Sequence, residues 1–121
     1  MAEVLNKQVS VIDNEEITVI SNIPSNNSNL TYVNLPNVTF LRDSTFASCT
    51  NLTSVNLPKV SSIGSSEIFS HCSSLTKLYL PSLVSRESGG WGQLCWTNSM
   101  LEKVYLPIYT GHFSTGDFQK C

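Results

Sequence analysis

The sequence predicts a solenoid, a stack of similar coils that each lay one short strand into a parallel sheet. Three observations carry that prediction. One phrase occurs four times: Leu30-Thr-Tyr-Val33-Asn-Leu35-Pro36, Leu52-Thr-Ser-Val55-Asn-Leu57-Pro58, Leu75-Thr-Lys-Leu78-Tyr-Leu80-Pro81 and Leu101-Glu-Lys-Val104-Tyr-Leu106-Pro107. Its starts lie 22, 23 and 26 residues apart. At such a period each repeat is one coil that cannot bury its apolar side alone. A second signature, an aromatic residue three before a cysteine, recurs behind the phrase.

Within each copy the first Leu and the positions three and five further on are apolar in every case. The last two alternate with a variable residue, the period-two mark of a strand with one buried face. Proline follows at Pro36, Pro58, Pro81 and Pro107. It has no amide donor, so it ends ladder pairing and starts a corner. Another apolar residue sits just beyond, at Val38, Val60, Leu83 and Ile108. The return half carries Phe46 and Cys49, Phe69 and Cys72, and Phe118 and Cys121. The third copy has Cys95, with Gly92 in the Phe slot and Trp91 beside it. The Phe-to-Cys spacing fits one turn of helix or 3₁₀ segment facing inward. Leu41 and Ile63 complete the filling, and Arg86 stands at the matching place in the third copy.

Residues 1–29 read as an N-terminal β-type cap over the first coil, because solenoid ends need a cover. Val9–Ile12 and Ile17–Ile20 form two alternating segments around the polar turn Asp13-Asn14-Glu15-Glu16. The organisation is therefore a cap over 1–29 and repeats over 30–51, 52–74, 75–100 and 101–121. The three extra residues of the third repeat are placed after Cys95, in 96–100.

Composition agrees with tight coils. Ser, Thr and Asn number 19, 10 and 11, while charged residues make up only 13% of the chain. Such residues serve turns and side-chain-to-backbone hydrogen bonds better than they serve helices. The formal net charge is −2, and no basic stripe is present to neutralise phosphates, which argues against nucleic acid as a partner. No apolar stretch approaches the ~20 residues of a membrane span. The start, Met1-Ala-Glu-Val-Leu-Asn-Lys-Gln, lacks the basic region and apolar core of a signal peptide. Either the chain is used or assembled inside a cell, as virion parts are, or a natural leader has been removed.

The pattern Leu-x-x-Val-x-Leu-Pro-x-Val-x-x-Ile-Gly-x-x-x-x-Phe-x-x-Cys-x-x-Leu is complete from Leu52 to Leu75. It resembles the BspA-like leucine-rich repeats of bacterial and protozoan surface proteins, over Leu30 to Cys121. The resemblance implies a leucine-rich-repeat solenoid with right-handed coils, one short parallel strand per repeat on the concave side, and short helical or irregular returns. Members are similar to adhesins and binding modules of cell surfaces, and such repeats also occur in phage-encoded proteins. An extracellular, cell-surface or virion-associated place follows as an expectation.

Enzyme and metal chemistry find little support. The cysteine spacing follows the repeat and offers no close pair of the zinc type. A stack of thiols, each a small apolar filler, is expected, although bridges between adjacent coils are sterically conceivable. His71 and His112 sit in no motif with a nucleophile or paired carboxylates. Asp43, Glu67 and Asp117 read as solvated residues of separate returns. No catalytic residue, cofactor or metal is assigned.

The variable strand positions are the candidates for binding. Along the stack they are Tyr32 and Asn34, Ser54 and Asn56, Lys77 and Tyr79, Lys103 and Tyr105. The plain alternative is a solvated sheet face. Against it, three tyrosines share one surface, and tyrosine offers large contact area with few torsions to freeze. Trp91 and Trp96, beside Cys95, are weaker candidates for an extension of that patch. The reading is a non-enzymatic module that recognises a protein or glycan on a cell surface through its concave sheet face. The alternative is a structural or assembly component, of a virion or surface array, that associates through an open C-terminal coil. A fragment of a longer array is a third reading.

Overall fold

The computed structural model describes residues 2–3, 9–20, 25–64, 67–87, 94–95, 97–111, 113 and 117–121. It is a parallel-strand solenoid, as the repeated phrase predicts. The front sheet is built from β2 (Val11–Asp13), β4 (Tyr32–Asn34), β6 (Ser54–Asn56), β8 (Lys77–Tyr79) and β10 (Lys103–Tyr105). β2, β4 and β6 pair in parallel, and β8 pairs with β10. β6 and β8 are neighbours, but no ladder joins them, so the front sheet is two ladders in sequence.

The returns differ from the expectation. Among the described residues there is no helix. Instead each return carries a second, two-residue strand: β5 (Phe40–Leu41), β7 (Ser62–Ile63) and β9 (Ser85–Arg86), paired in parallel as a back sheet. The Phe-to-Cys step is a turn closed by the Cys49 amide on the Phe46 carbonyl at 3.3 Å and by the Cys72 amide on Phe69 at 3.4 Å. Ser48 and His71, one before each cysteine, have φ of 59° and 60°. That left-handed residue turns the chain out of the right-handed helical region, so a helical turn cannot continue.

The N-terminal segment carries β2 and also β3 (Val19–Ile20), which pairs in parallel with β1 (Ala2–Glu3). β2 and β3 do not pair with each other across the polar turn. β2 pairs with β4, setting Ile12 beside Val33. Ile17 and Ile20 then fall at the spacings of Val38 and Leu41, and all three isoleucines are buried. Residues 9–20 thus add a coil's worth of core to the stack.

The core is a set of columns. Leu30, Leu52 and Leu75, then Leu35, Leu57 and Leu80, are sealed from solvent, as are Val38, Val60 and Leu83. In the last coil the corner position belongs to Tyr109 and not to Ile108. The Tyr109 amide donates to Leu106 as Val38, Val60 and Leu83 donate to Leu35, Leu57 and Leu80, and Ile108 is exposed. Phe46 and Phe69 stack with centroids 5.6 Å apart. Gly64 lies where a Cβ would sit 2.6 Å from the Asp43 amide nitrogen, so the Ile-Gly pair marks a close approach of two coils.

The third return corrects the alignment of Cys95. Phe46, Phe69 and Cys95 donate their amides to Ile68, Leu94 and Asp117 in one series. Cys95 therefore occupies the Phe slot, and Asn98 occupies the cysteine slot, with the left-handed Thr97 before it. The Leu101 amide closes on Asn98 as Leu52 and Leu75 close on Cys49 and Cys72. The extra residues of this repeat consequently lie between Arg86 and Cys95, not after the cysteine.

The slot asks for a small hydrogen-bond donor as well as small volume. The Cys72 thiol donates to the Phe46 carbonyl at 3.1 Å, Asn98 Nδ2 to Phe69 at 2.9 Å, and the Cys121 thiol to Cys95 at 2.8 Å. Asn98 Oδ1 also accepts the Cys72 amide at 2.8 Å. All four cysteines are free, and only Cys121 is exposed. Burial pushes Cys72 up to about 12 from an ordinary 9.0, with Cys49 adding to the rise. Desolvation raises Cys49 and Cys95 too.

Candidate binding face

Outward side chains of the front strands form two columns. One runs Val11, Tyr32, Ser54, Lys77 and Lys103. The other runs Asp13, Asn34, Asn56, Tyr79 and Tyr105. Strand register sets Tyr32 beside Ser54, Asn34 beside Asn56, Lys77 beside Lys103, and Tyr79 beside Tyr105.

The first three coils close this face on itself. Asn34 Nδ2 donates to Asp13 Oδ1 at 2.8 Å, and Asn56 Nδ2 to Asn34 Oδ1 at 2.7 Å. A second rung system at the corner runs from Asn37 Nδ2 to the Glu15 carbonyl and from Lys59 Nζ to Asn37 Oδ1. Thr31 and Thr53 hydroxyls donate to Ser10 and Thr31 carbonyls. These ladders account for the wealth of Asn, Thr and Ser. Asp13, at the head of the amide row, is missed by a sequence reading that treats 1–29 separately from the repeats.

The last two coils do the reverse. Tyr79 and Tyr105 are 51% and 50% exposed, and their rings lie 5.0 Å apart at an interplanar angle of 55°. Lys77 and Lys103 are exposed side by side, and among the described residues neither makes an ion pair. Like charges directly opposite on adjacent strands destabilise a sheet. These four residues, with Leu78, line a depression of ≈ 360 Å³. Tyr32 shares the face, but it stands in the lysine column and a full coil separates it from the tyrosine pair. Ser54 and Asn56 lie in that intervening coil. Trp91, Trp96 and His112 lie outside the described residues.

A charged cluster under the last coil was hidden from sequence reading. Asp117, read there as solvated, is wholly buried in the slot used by Thr45, Ile68 and Leu94. Its Oδ1 accepts Arg86 Nη1 at 2.7 Å and the Leu94 amide at 3.1 Å. Arg86 keeps its place beside Ile63 in the back sheet, and its guanidinium reaches a carboxylate one coil on. Partial burial raises the Tyr109 hydroxyl above its ordinary value, and the same guanidinium opposes that rise. Outside it, Phe113 packs on Tyr109 and Phe118 at 5.0 and 5.4 Å.

Among the described residues no three His, Cys, Asp or Glu side chains converge as metal ligands. Comparison with curated proteins and with solved structures gives no significant match. A family model described as a BspA type leucine rich repeat region matches six copies over residues 6–121. That family points to a surface or adhesion-like repeat module, and solenoids of this kind are typically non-enzymatic binding scaffolds. With the match covering nearly the whole chain, and with the columns and parallel strands such repeats require, the chain belongs to the BspA-type leucine-rich repeat family.

Proposed function

We propose that the chain is a non-enzymatic binding module that holds a protein or glycan of a cell surface against the C-terminal half of its front sheet. The observation that carries this reading is the tyrosine pair flanked by a lysine pair that makes no ion pair among the described residues. A local rule broken without internal compensation marks a site selected for something other than folding. The tilted tyrosines lose little side-chain entropy on binding, and the two ammoniums steer an anionic partner toward the face.

The test is retention of the folded protein on immobilised glycans and extracellular-matrix proteins. Wild-type protein is expected to hold at least one member of the panel, and the Tyr79→Ala/Tyr105→Ala variant to lose it while keeping its circular dichroism. Equal retention by both proteins would remove the sheet face from the account.

A second reading rests on the outer side of the last coil. Leu101, Val104 and Leu106 are only partly buried, and Phe113 is 48% exposed. That side suits stacking against another coil, as an assembly component would. Light scattering at rising concentration tests it: growth beyond the monomer mass supports stacking, and a constant 13.3 kDa opposes it.

A further inference from the structure

Resting on the sheet-face reading, we infer that the ligand of the Lys77–Tyr79–Lys103–Tyr105 patch is a carboxylated sugar, a sialic or uronic acid residue of a glycan. The lysines stand on adjacent strands, ~4.8 Å apart along the sheet, in direct register. Two flexible ammoniums at that separation converge on the two oxygens of one carboxylate, each giving a charge-assisted bond. Lysine recognises charge without imposing a planar fork, which suits a carboxylate held by a ring that sits elsewhere. The tilted tyrosines supply that seat. A pyranose turns a face of C–H groups onto an aromatic ring while its hydroxyls point sideways. Those hydroxyls meet the phenol groups of Tyr79 and Tyr105.

The depression of ≈ 360 Å³ lies at the small end of ligand sites and matches a mono- or disaccharide end better than a folded surface. An acidic peptide is the competitor in charge. An extended peptide is best held by an open strand edge that pairs its backbone. The backbone groups of β8 and β10 lie in the plane of the sheet, toward each other or toward its edges, so on the face only side chains reach a ligand. A peptide backbone laid there would stay unpaired, whereas a sugar has no backbone to satisfy.

The experiment measures binding of the full chain to sialyllactose, an oligogalacturonate, lactose and a polyglutamate peptide. Variants are Lys77→Gln/Lys103→Gln and Tyr79→Ala/Tyr105→Ala, each checked by circular dichroism. Binding to either carboxylated glycan is expected, with lactose at least about tenfold weaker, the scale of a lost charged hydrogen bond. The lysine variant should lose that preference, and added salt should weaken it. Sialyllactose against oligogalacturonate tells the sialic from the uronic source. Equal binding of lactose, no binding of either acid sugar, or an unchanged lysine variant overturns the inference. Preference for polyglutamate overturns it in favour of an acidic peptide and leaves the sheet-face reading standing. Unchanged binding by the tyrosine variant defeats that reading itself.

Discussion

Asp13, Asn34 and Asn56 occupy the same outward column as Tyr79 and Tyr105, on strands of the same length and direction. The first three spend their polar groups on one another. The last two meet through their rings, remain half exposed and stand beside two exposed lysines. One backbone design therefore supports two surfaces, one that fastens coils together and one that we propose meets a partner. The same contrast runs inside. The earlier coils fill the back column with Leu41 and Ile63, while the later one fills it with Arg86 and recruits buried Asp117 to neutralise it.

The internal part of the contrast is broken most severely at Asp117. Asp117→Ala removes the carboxylate that neutralises Arg86 under the last coil and is expected to cost about 3–5 kcal/mol, read as a fall in the urea midpoint. Arg86→Ile combined with Asp117→Val should recover most of that loss, because well-packed apolar residues can replace a buried pair. Next in size is Asn98→Leu. It removes the Asn98 bonds to the Cys72 amide and the Phe69 carbonyl and leaves those two groups their 3.4 Å bond to each other, at about 1–3 kcal/mol in all. Asn98→Cys, which restores the residue used in the other coils, should cost less.

The thiol column sharpens the comparison from another direction. In the native protein only Cys121 should react with an alkylating reagent at mildly alkaline pH, while Cys49, Cys72 and Cys95 wait for unfolding. A raised thiol keeps its proton in the folded state. Its contribution is therefore complete below the unfolded value of 9.0 and is lost as pH rises toward about 12. Denaturation midpoints measured across that window should fall steadily.

Much of the solenoid was readable because its columns are chemically monotonous. Leu52, Val55, Leu57, Val60, Ile63, Phe69 and Cys72 announce both their period and their inward direction. What escaped reading has a common cause: a slot filled by an unexpected residue type. Cys95 looks like the cysteine of its repeat, yet the step Asn98-x-x-Leu101 shows that asparagine holds the slot, since either side chain can donate to the carbonyl one coil back. Asn14 stands where Leu-Pro would mark a repeat, which disguised the coil of Ile12, Ile17 and Ile20. Asp117 could be seen as buried only once the coil register set it beside Arg86. Two-residue back strands are too short for alternation to show. On the outer face the residues themselves were legible, but the division between amide row and tyrosine pair needed the register.

The smallest effect on stability is predicted where the effect on binding is greatest. Asn34→Ala/Asn56→Ala should cost about 0.5–1.5 kcal/mol for each hydrogen bond removed. Tyr79→Ala/Tyr105→Ala removes one cross-strand aromatic contact and should cost about 1 kcal/mol or less. The most direct measurement is a pair of binding isotherms for these two folded variants on the same immobilised glycan. The asparagine variant is predicted to bind as wild type does, and the tyrosine variant to show no saturable binding. Loss of binding in the asparagine variant with retention in the tyrosine variant would contradict the division of the front sheet into a fastening half and a recognition half.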